Sequence, residues 1–217
     1  MKYNKPMKNI MILGDSYSTF AGYVPADHAV YYSTAEKAET DVRRVEETWW
    51  HQLCAEMNLN IVLNESWSGT TLCHTGYDGD CSKTSSFIYR LEKLIAEGFF
   101  EKNDIDTVFV FGCTNDSWAN SPLGEIKLSD YQAEDLFSVC PAIGYLVSRL
   151  KEILPDGNIV FIINTNIKSE IKEAIKAVSD HNGTTYVELS HIDKLCGHPT
   201  VKGMSEIAKQ VKAVLVS

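Results

Sequence analysis

The sequence predicts an α/β fold in which a parallel sheet is covered by helices on both sides. Two observations carry this. Short apolar runs and longer amphipathic stretches alternate over nearly all of the 217 residues, and such alternation implies parallel strands joined by right-handed helical crossovers. The apolar runs are also continuous, as strands buried on both faces must be.

The first strand is read at residues 10–13, an Ile-Met-Ile-Leu run that stops at Gly14-Asp15-Ser16. A helix follows at residues 46–58, where Trp49, Trp50, Leu53, Cys54 and Met57 are spaced for one face. Residues 61–63 form the second strand, and residues 87–98 a helix ending at Gly98, a residue suited to a helix C-terminus. The third strand is residues 107–111. A long helix covers residues 136–154 and is stopped by Pro155 and Gly157. Strands at 159–164 and 185–188 and helices at 169–182 and 200–216 complete a sheet of about five strands. Two polar, aromatic-rich stretches, residues 17–48 and 67–86, break the rhythm. Both leave strand ends on the side of Ser16, and loops of such length in a compact domain are usually functional. With no repeat or linker, residues 1–217 are read as one domain.

Composition excludes several classes. A 44% hydrophobic content is enough for one sizeable core. The net charge of −9 argues against nucleic acid or an anionic membrane as the main partner. No segment approaches ~18 consecutive apolar residues, so no membrane span is expected. The polar start, residues 1–8, lacks an apolar signal core and points to a cytoplasmic protein, with export open if a signal has been removed. The six cysteines are scattered, and Cys54, Cys113 and Cys140 lie in or beside apolar segments, where a thiol acts as a small hydrophobe. A Cys73–Cys81 disulfide fits only an exported protein. Cys73, His74 and Cys81 match no standard zinc spacing and lack a fourth ligand, so neither metal nor cofactor is expected.

Four separated features fit acyl transfer. Ser16 stands at the end of the first strand, a position where open α/β sheets bind ligands. Gly69 follows the second strand and can present a backbone N–H with no side chain in the way. Asn115, after the third strand, offers a side-chain amide, and His198, before the last helix, offers a base. Taken singly, Asn115-Asp116 reads as a turn or helix cap, Gly69 as a turn glycine and His198 as a loop residue. Together they supply a nucleophile, its base and donors for an oxyanion. Asp15 and Asp116 read as braces of their loops.

This arrangement resembles the SGNH hydrolases, the GDSL-type esterases and lipases. Gly14-Asp15-Ser16 matches the first block of that family, Gly69 the second, Asn115-Asp116 the third and His198-Pro199 the last. The resemblance implies a three-layer, flavodoxin-like fold. It also implies a serine esterase with Ser16 as nucleophile, His198 as general base, and an oxyanion hole of Ser16, Gly69 and Asn115. Two positions depart from the family pattern. Cys113 stands where a glycine is usual, with Gly112 just before it. Leu195 stands three residues before the histidine, where an aspartate is usual. The nearest acid is Asp193, which can reach the ring if the loop bulges; the alternative is a Ser–His pair with a backbone carbonyl fixing the tautomer.

The loop aromatics Tyr17, Phe20, Tyr23, Tyr31, Tyr32, Trp67, Tyr77 and Trp118 suit sugar rings or, equally, packing of the loops onto the sheet. With no apolar lid stripe, the expected substrate is a small-molecule or oligosaccharide ester bearing a small acyl group, as in the many family members that deacetylate glycans. Acyl transfer to an alcohol and a non-catalytic glycan-binding role stay open, and the oligomeric state is not legible.

Overall fold

The computed structural model describes residues 8–216, so the polar stretch at residues 1–7 lies outside the described residues. In chain order the elements are β1 (Lys8–Gly14), α1 (Trp49–Met57), β2 (Leu59–Ser66), β3 (Thr75–Gly76), β4 (Gly79–Asp80), α2 (Phe87–Ala96), α3 (Phe99–Lys102), β5 (Thr107–Phe111), α4 (Thr114–Trp118), α5 (Val139–Ile153), β6 (Asn158–Ile163), α6 (Ser169–Asn182), β7 (Thr185–Glu188), β8 (Lys194–Leu195), β9 (His198–Pro199) and α7 (Val201–Leu215). The main sheet runs β2-β1-β5-β6-β7, all parallel. Counted by sheet strands alone this is the flavodoxin-like order, with a reversal between β1 and β5.

Period-two alternation along each strand divides the core. Met11 and Leu13 of β1, Val108 and Val110 of β5, and Ile159, Phe161 and Ile163 of β6 face one layer, packed with apolar residues of α2, α5 and α6. Ile10 and Ile12, Phe109 and Phe111, and Val160 and Ile162 face the other, packed with α1 and α7. Every strand position named is essentially inaccessible to solvent. That two-sided burial is why the strands read as unbroken apolar runs.

The strand expected at 61–63 extends to Ser66. Its last three residues are polar yet buried, because Asn64 donates to the Ser18 carbonyl and the Ser66 hydroxyl to Asn64. The helix expected from residue 46 starts at Trp49, where Thr48 caps it and Val45–Glu47 form a separate 3-10 turn. The helix expected from residue 136 starts at Val139, after another 3-10 turn at Ala133–Phe137. Among the described residues no helix is long and apolar enough to cross a membrane.

Candidate active site

Successive connections leave β1 on opposite sides, first to β2 and then to β5. The crevice beyond the C-terminal ends of β1 and β5 is therefore the topological switch point, where sheets of this kind bind ligands. Ser16 opens a 3-10 turn, Ser16–Ser18, at this crevice and is itself buried. Asp15 anchors the turn: its N–H donates to the Phe111 carbonyl at the end of β5 and its carboxylate accepts from the Tyr17 N–H at 3.0 Å. The Ser18 carbonyl accepts from both Trp50 Nε1 and Asn64 Nδ2 at 2.9 Å, fixing the turn to α1 and β2. Burial pushes the Asp15 carboxyl up to about 7, against the pull of the Tyr17 N–H. A separate cavity of about 630 Å³ opens at the opposite, N-terminal ends of the strands, and neither Ser16, Gly69, Asn115 nor His198 lines it.

His198 comes to the serine from the far end of the chain. Its Nε2 lies 2.9 Å from Ser16 Oγ and its Nδ1 lies 3.2 Å from the Cys196 carbonyl. Cys196 adopts a left-handed φ of 48° in the β8–β9 turn. Burial draws His198 below the ordinary imidazole range; the Cys196 carbonyl works against this and the Lys194 ammonium adds to it. Lys194 is itself pulled down to about 8 by burial, and its Nζ donates to Asn164 Oδ1 and Thr165 Oγ1.

The structure corrects the expectation that Asp193 orients His198. The β8–β9 hairpin pairs Leu195 with His198 and Lys194 with Pro199, which sets Asp193 opposite Thr200. Its carboxylate accepts from the Thr200 hydroxyl at 2.5 Å and its carbonyl from the Thr200 N–H. The backbone alternative is the arrangement found.

Gly69 has φ 82°, a conformation that L side chains rarely adopt, so the position requires glycine for its backbone and not for space. Among the described residues no backbone acceptor takes the N–H of Ser16 or of Gly69. Asn115 lies in the first turn of α4, with Nδ2 donating to the Thr70 carbonyl at 2.9 Å and Oδ1 accepting from the Tyr77 hydroxyl at 3.1 Å. Because a carbonyl only accepts, these two bonds fix which way the amide faces, and they leave one N–H of Nδ2 unused. Asp116 accepts from the N–H groups of Leu72 and Cys73, holding the loop after Gly69 against α4. Cys113 has φ 66°, so it occupies the left-handed conformation for which a glycine is usual.

Sequence reasoning missed Arg90. Fully buried in α2, it donates to the carbonyls of Gly14, Glu65 and Ser85 and to the Thr70 hydroxyl, joining the ends of β1 and β2 to the loop that carries Gly69. It reads as an ordinary helical arginine, and only its strongly apolar neighbours Phe87, Ile88 and Leu91 hint at burial. Burial pulls it down to about 10, so it remains charged at neutral pH.

The loop aromatics differ in burial. Tyr17, Phe20 and Tyr32 are buried packing residues, whereas Tyr23, Tyr77 and Trp118 are 51%, 53% and 43% exposed. The Tyr17 hydroxyl donates to the Gly197 carbonyl and the Tyr32 hydroxyl to the Pro199 carbonyl, gripping the backbone on both sides of His198. His74 Nδ1 is engaged by the Ser86 hydroxyl, and all six cysteines are free thiols.

Comparison with known proteins places the chain in a family. The model of the GDSL-like lipase/acylhydrolase family matches residues 8–215. No curated protein matches the chain. Among solved structures, a protein named as a GDSL-like lipase from Bacteroides ovatus is 39% identical, with TM-score 0.89 over 98% of this chain and 99% of that one. A second, from Bacteroides uniformis, is 40% identical, with TM-score 0.89 over 99% of each chain. An acetyl xylan esterase from the rumen bacterium Butyrivibrio proteoclasticus shares the fold at 17% identity and TM-score 0.62, covering 98% of this chain and 64% of that one. By the span of the family model and the identity to the two Bacteroides proteins, the chain belongs to the GDSL-like lipase/acylhydrolase family of ester hydrolases.

Proposed function

We propose that the protein cleaves small acyl groups, acetyl above all, from polar, polyhydroxylated alcohols through an acyl-enzyme on Ser16. The observation that carries the reading is the 2.9 Å approach of Ser16 Oγ to His198 Nε2, with Nδ1 turned to the Cys196 carbonyl. Since that carbonyl only accepts, Nδ1 keeps the ring proton and Nε2 offers its lone pair to the serine hydroxyl. Ser16 Oγ adds to the ester carbonyl carbon as its proton passes to Nε2. The N–H groups of Ser16 and Gly69 and the unused N–H of Asn115 receive the oxyanion. Collapse breaks the acyl–alkoxy bond, and the imidazolium returns its proton to the departing alcohol. Water then adds to acyl-Ser16 by the same route, releasing the acid and restoring the serine.

Two features favour a small acyl group on a sugar-like carrier. The cavity beside Gly69, bounded also by Thr70, Tyr77, Asp80 and Ser85 and adjoining the serine site through Gly69 without being lined by Ser16, Asn115 or His198, holds about 170 Å³. That is well under the roughly 300 Å³ at which pockets for drug-sized ligands begin. Tyr77, which lines that cavity, and Trp118, in edge contact with His198, are both exposed aromatic side chains. Nitrophenyl esters from acetate to decanoate, followed by acetylated xylo- and manno-oligosaccharides, test the reading. Turnover should be highest on acetate and extend to the acetylated sugars; a preference for long chains would overturn it. A fluorophosphonate should label Ser16 and fail to label Ser16→Ala.

A further inference from the structure

Acyl transfer turns His198 into an imidazolium, and the usual means of stabilising that charge is missing. Among the described residues no carboxylate faces the ring. The titratable and charged groups around it are the Tyr17 and Tyr32 hydroxyls, spent on backbone carbonyls, the Lys194 ammonium, whose charge opposes protonation, and the exposed Cys196. Ser16 is the bonding partner of Nε2, and Trp118 presents only an edge contact. One further contact is unlike the rest. The Tyr31 ring lies flat on the imidazole, with centroids 3.6 Å apart and planes inclined by 8°.

Two neutral rings avoid this arrangement, because their like-signed faces repel and offset or edge contacts with centroids roughly 4.5–7 Å apart are preferred. A cation over the negative face of a ring is attracted instead. The stack therefore suits the protonated histidine better than the neutral one. Tyr31 is held for it: its hydroxyl donates to the Glu39 carbonyl, its N–H donates to Thr19 Oγ1, and its carbonyl accepts from Lys37 Nζ. That ammonium stands 6.0 Å from the ring centroid and draws on the same π-system, so the His198 contact works against a nearby competing charge.

We infer that Tyr31 is a positioning residue whose ring face stabilises the imidazolium of His198 during acyl transfer, taking over part of what a carboxylate would do. The inference rests on the assignment of Ser16 and His198 as nucleophile and base. It goes beyond that assignment by giving a loop tyrosine outside the family blocks a share in the reaction's electrostatics.

The test is the titration of the His198 ring followed by NMR, assigned with His198→Gln and performed on Tyr31→Phe, Tyr31→Leu and Tyr31→Trp. Tyr31→Phe keeps the ring face and should titrate as wild type. Tyr31→Leu loses it and should titrate about 0.7 pH units lower, with kcat on nitrophenyl acetate down about three- to tenfold. Were the ring only a cover that excludes water, Tyr31→Leu would admit water and move the titration upward, toward the ordinary imidazole range. An upward or absent shift overturns the inference. If Tyr31→Leu does not fold, Tyr31→Trp against Tyr31→Phe decides: the stronger indole face should raise the midpoint, and equal midpoints overturn the inference. The titration needs no turnover. Failure of wild-type fluorophosphonate labelling would count against the esterase reading alone.

Discussion

At the scale of single residues, the group beside His198 Nδ1 is a backbone carbonyl, one of the two alternatives read for it. The Cys196 carbonyl fixes the tautomer of His198, while the Asp193 carboxylate serves the Thr200 hydroxyl. Asp193→Ala should accordingly leave kcat close to wild type, whereas His198→Ala should abolish turnover; steady-state kinetics on nitrophenyl acetate separates the two. Asn115→Ala removes a donor held between Thr70 and Tyr77. It should lower kcat by about 10²–10³ with little change in KM, because the oxyanion exists only beyond the ground state. The pH profile carries a sign as well. Burial and Lys194 both lower the proton affinity of His198, so the base stays neutral below the usual imidazole range. Lys194→Met removes the second of these influences and should move the acid limb of kcat/KM to higher pH.

At the scale of elements, the His198 hairpin is seated by a close approach in α7. A Cβ at Gly203 would collide with the Asp193 carbonyl, and the Gly203 N–H is bonded to the Thr200 cap. Gly203→Ala must push the β8–β9 hairpin away from α7. It should cost about 1–3 kcal/mol in urea unfolding and a matching loss of kcat as the Ser16–His198 contact opens. The same scale decides what was legible beforehand. The five sheet strands and five long helices announce themselves, because a strand buried on both faces is one apolar run and a surface helix repeats its apolar positions. The two hairpins, each made of two-residue strands, are too short to show a period. That hid the pairing of Leu195 with His198, and with it the fate of Asp193. Ser16, Gly69, Asn115 and His198 were legible because each stands at a strand end or a helix start. Arg90 was not, and Tyr31 and Tyr77 were legible only as loop aromatics, because what each does lies in partners distant in sequence. Nothing local marks an arginine as the tie between two strand ends, or a loop tyrosine as the neighbour of an imidazole.

At the scale of the whole molecule, the buried Asp15 links stability to pH. Its carboxyl is raised from 3.8 to about 7 in the folded protein, mainly by burial. The native state therefore holds its proton more tightly than the unfolded chain does. The stability this contributes is complete below about pH 3.8 and is lost as pH rises through about 7. Asp15→Asn imitates the protonated form, so its stability relative to wild type should improve between pH 5 and pH 8. A difference on the order of 1–3 kcal/mol is expected from urea melts at the two values. The distance along the chain between Ser16 and His198 has a kinetic consequence too. Their bond spans 182 residues, and the grips of Tyr17 on Gly197 and Tyr32 on Pro199 span 180 and 167. Closing such large loops costs entropy before any contact rewards it, so contacts of this contact order form late. The reactive serine is thus a reporter on the last stage of folding: in a refolding experiment, fluorophosphonate capture should trail the recovery of helical signal, and a chain arrested before α7 docks would carry a complete Gly14-Asp15-Ser16 turn with no base to awaken it.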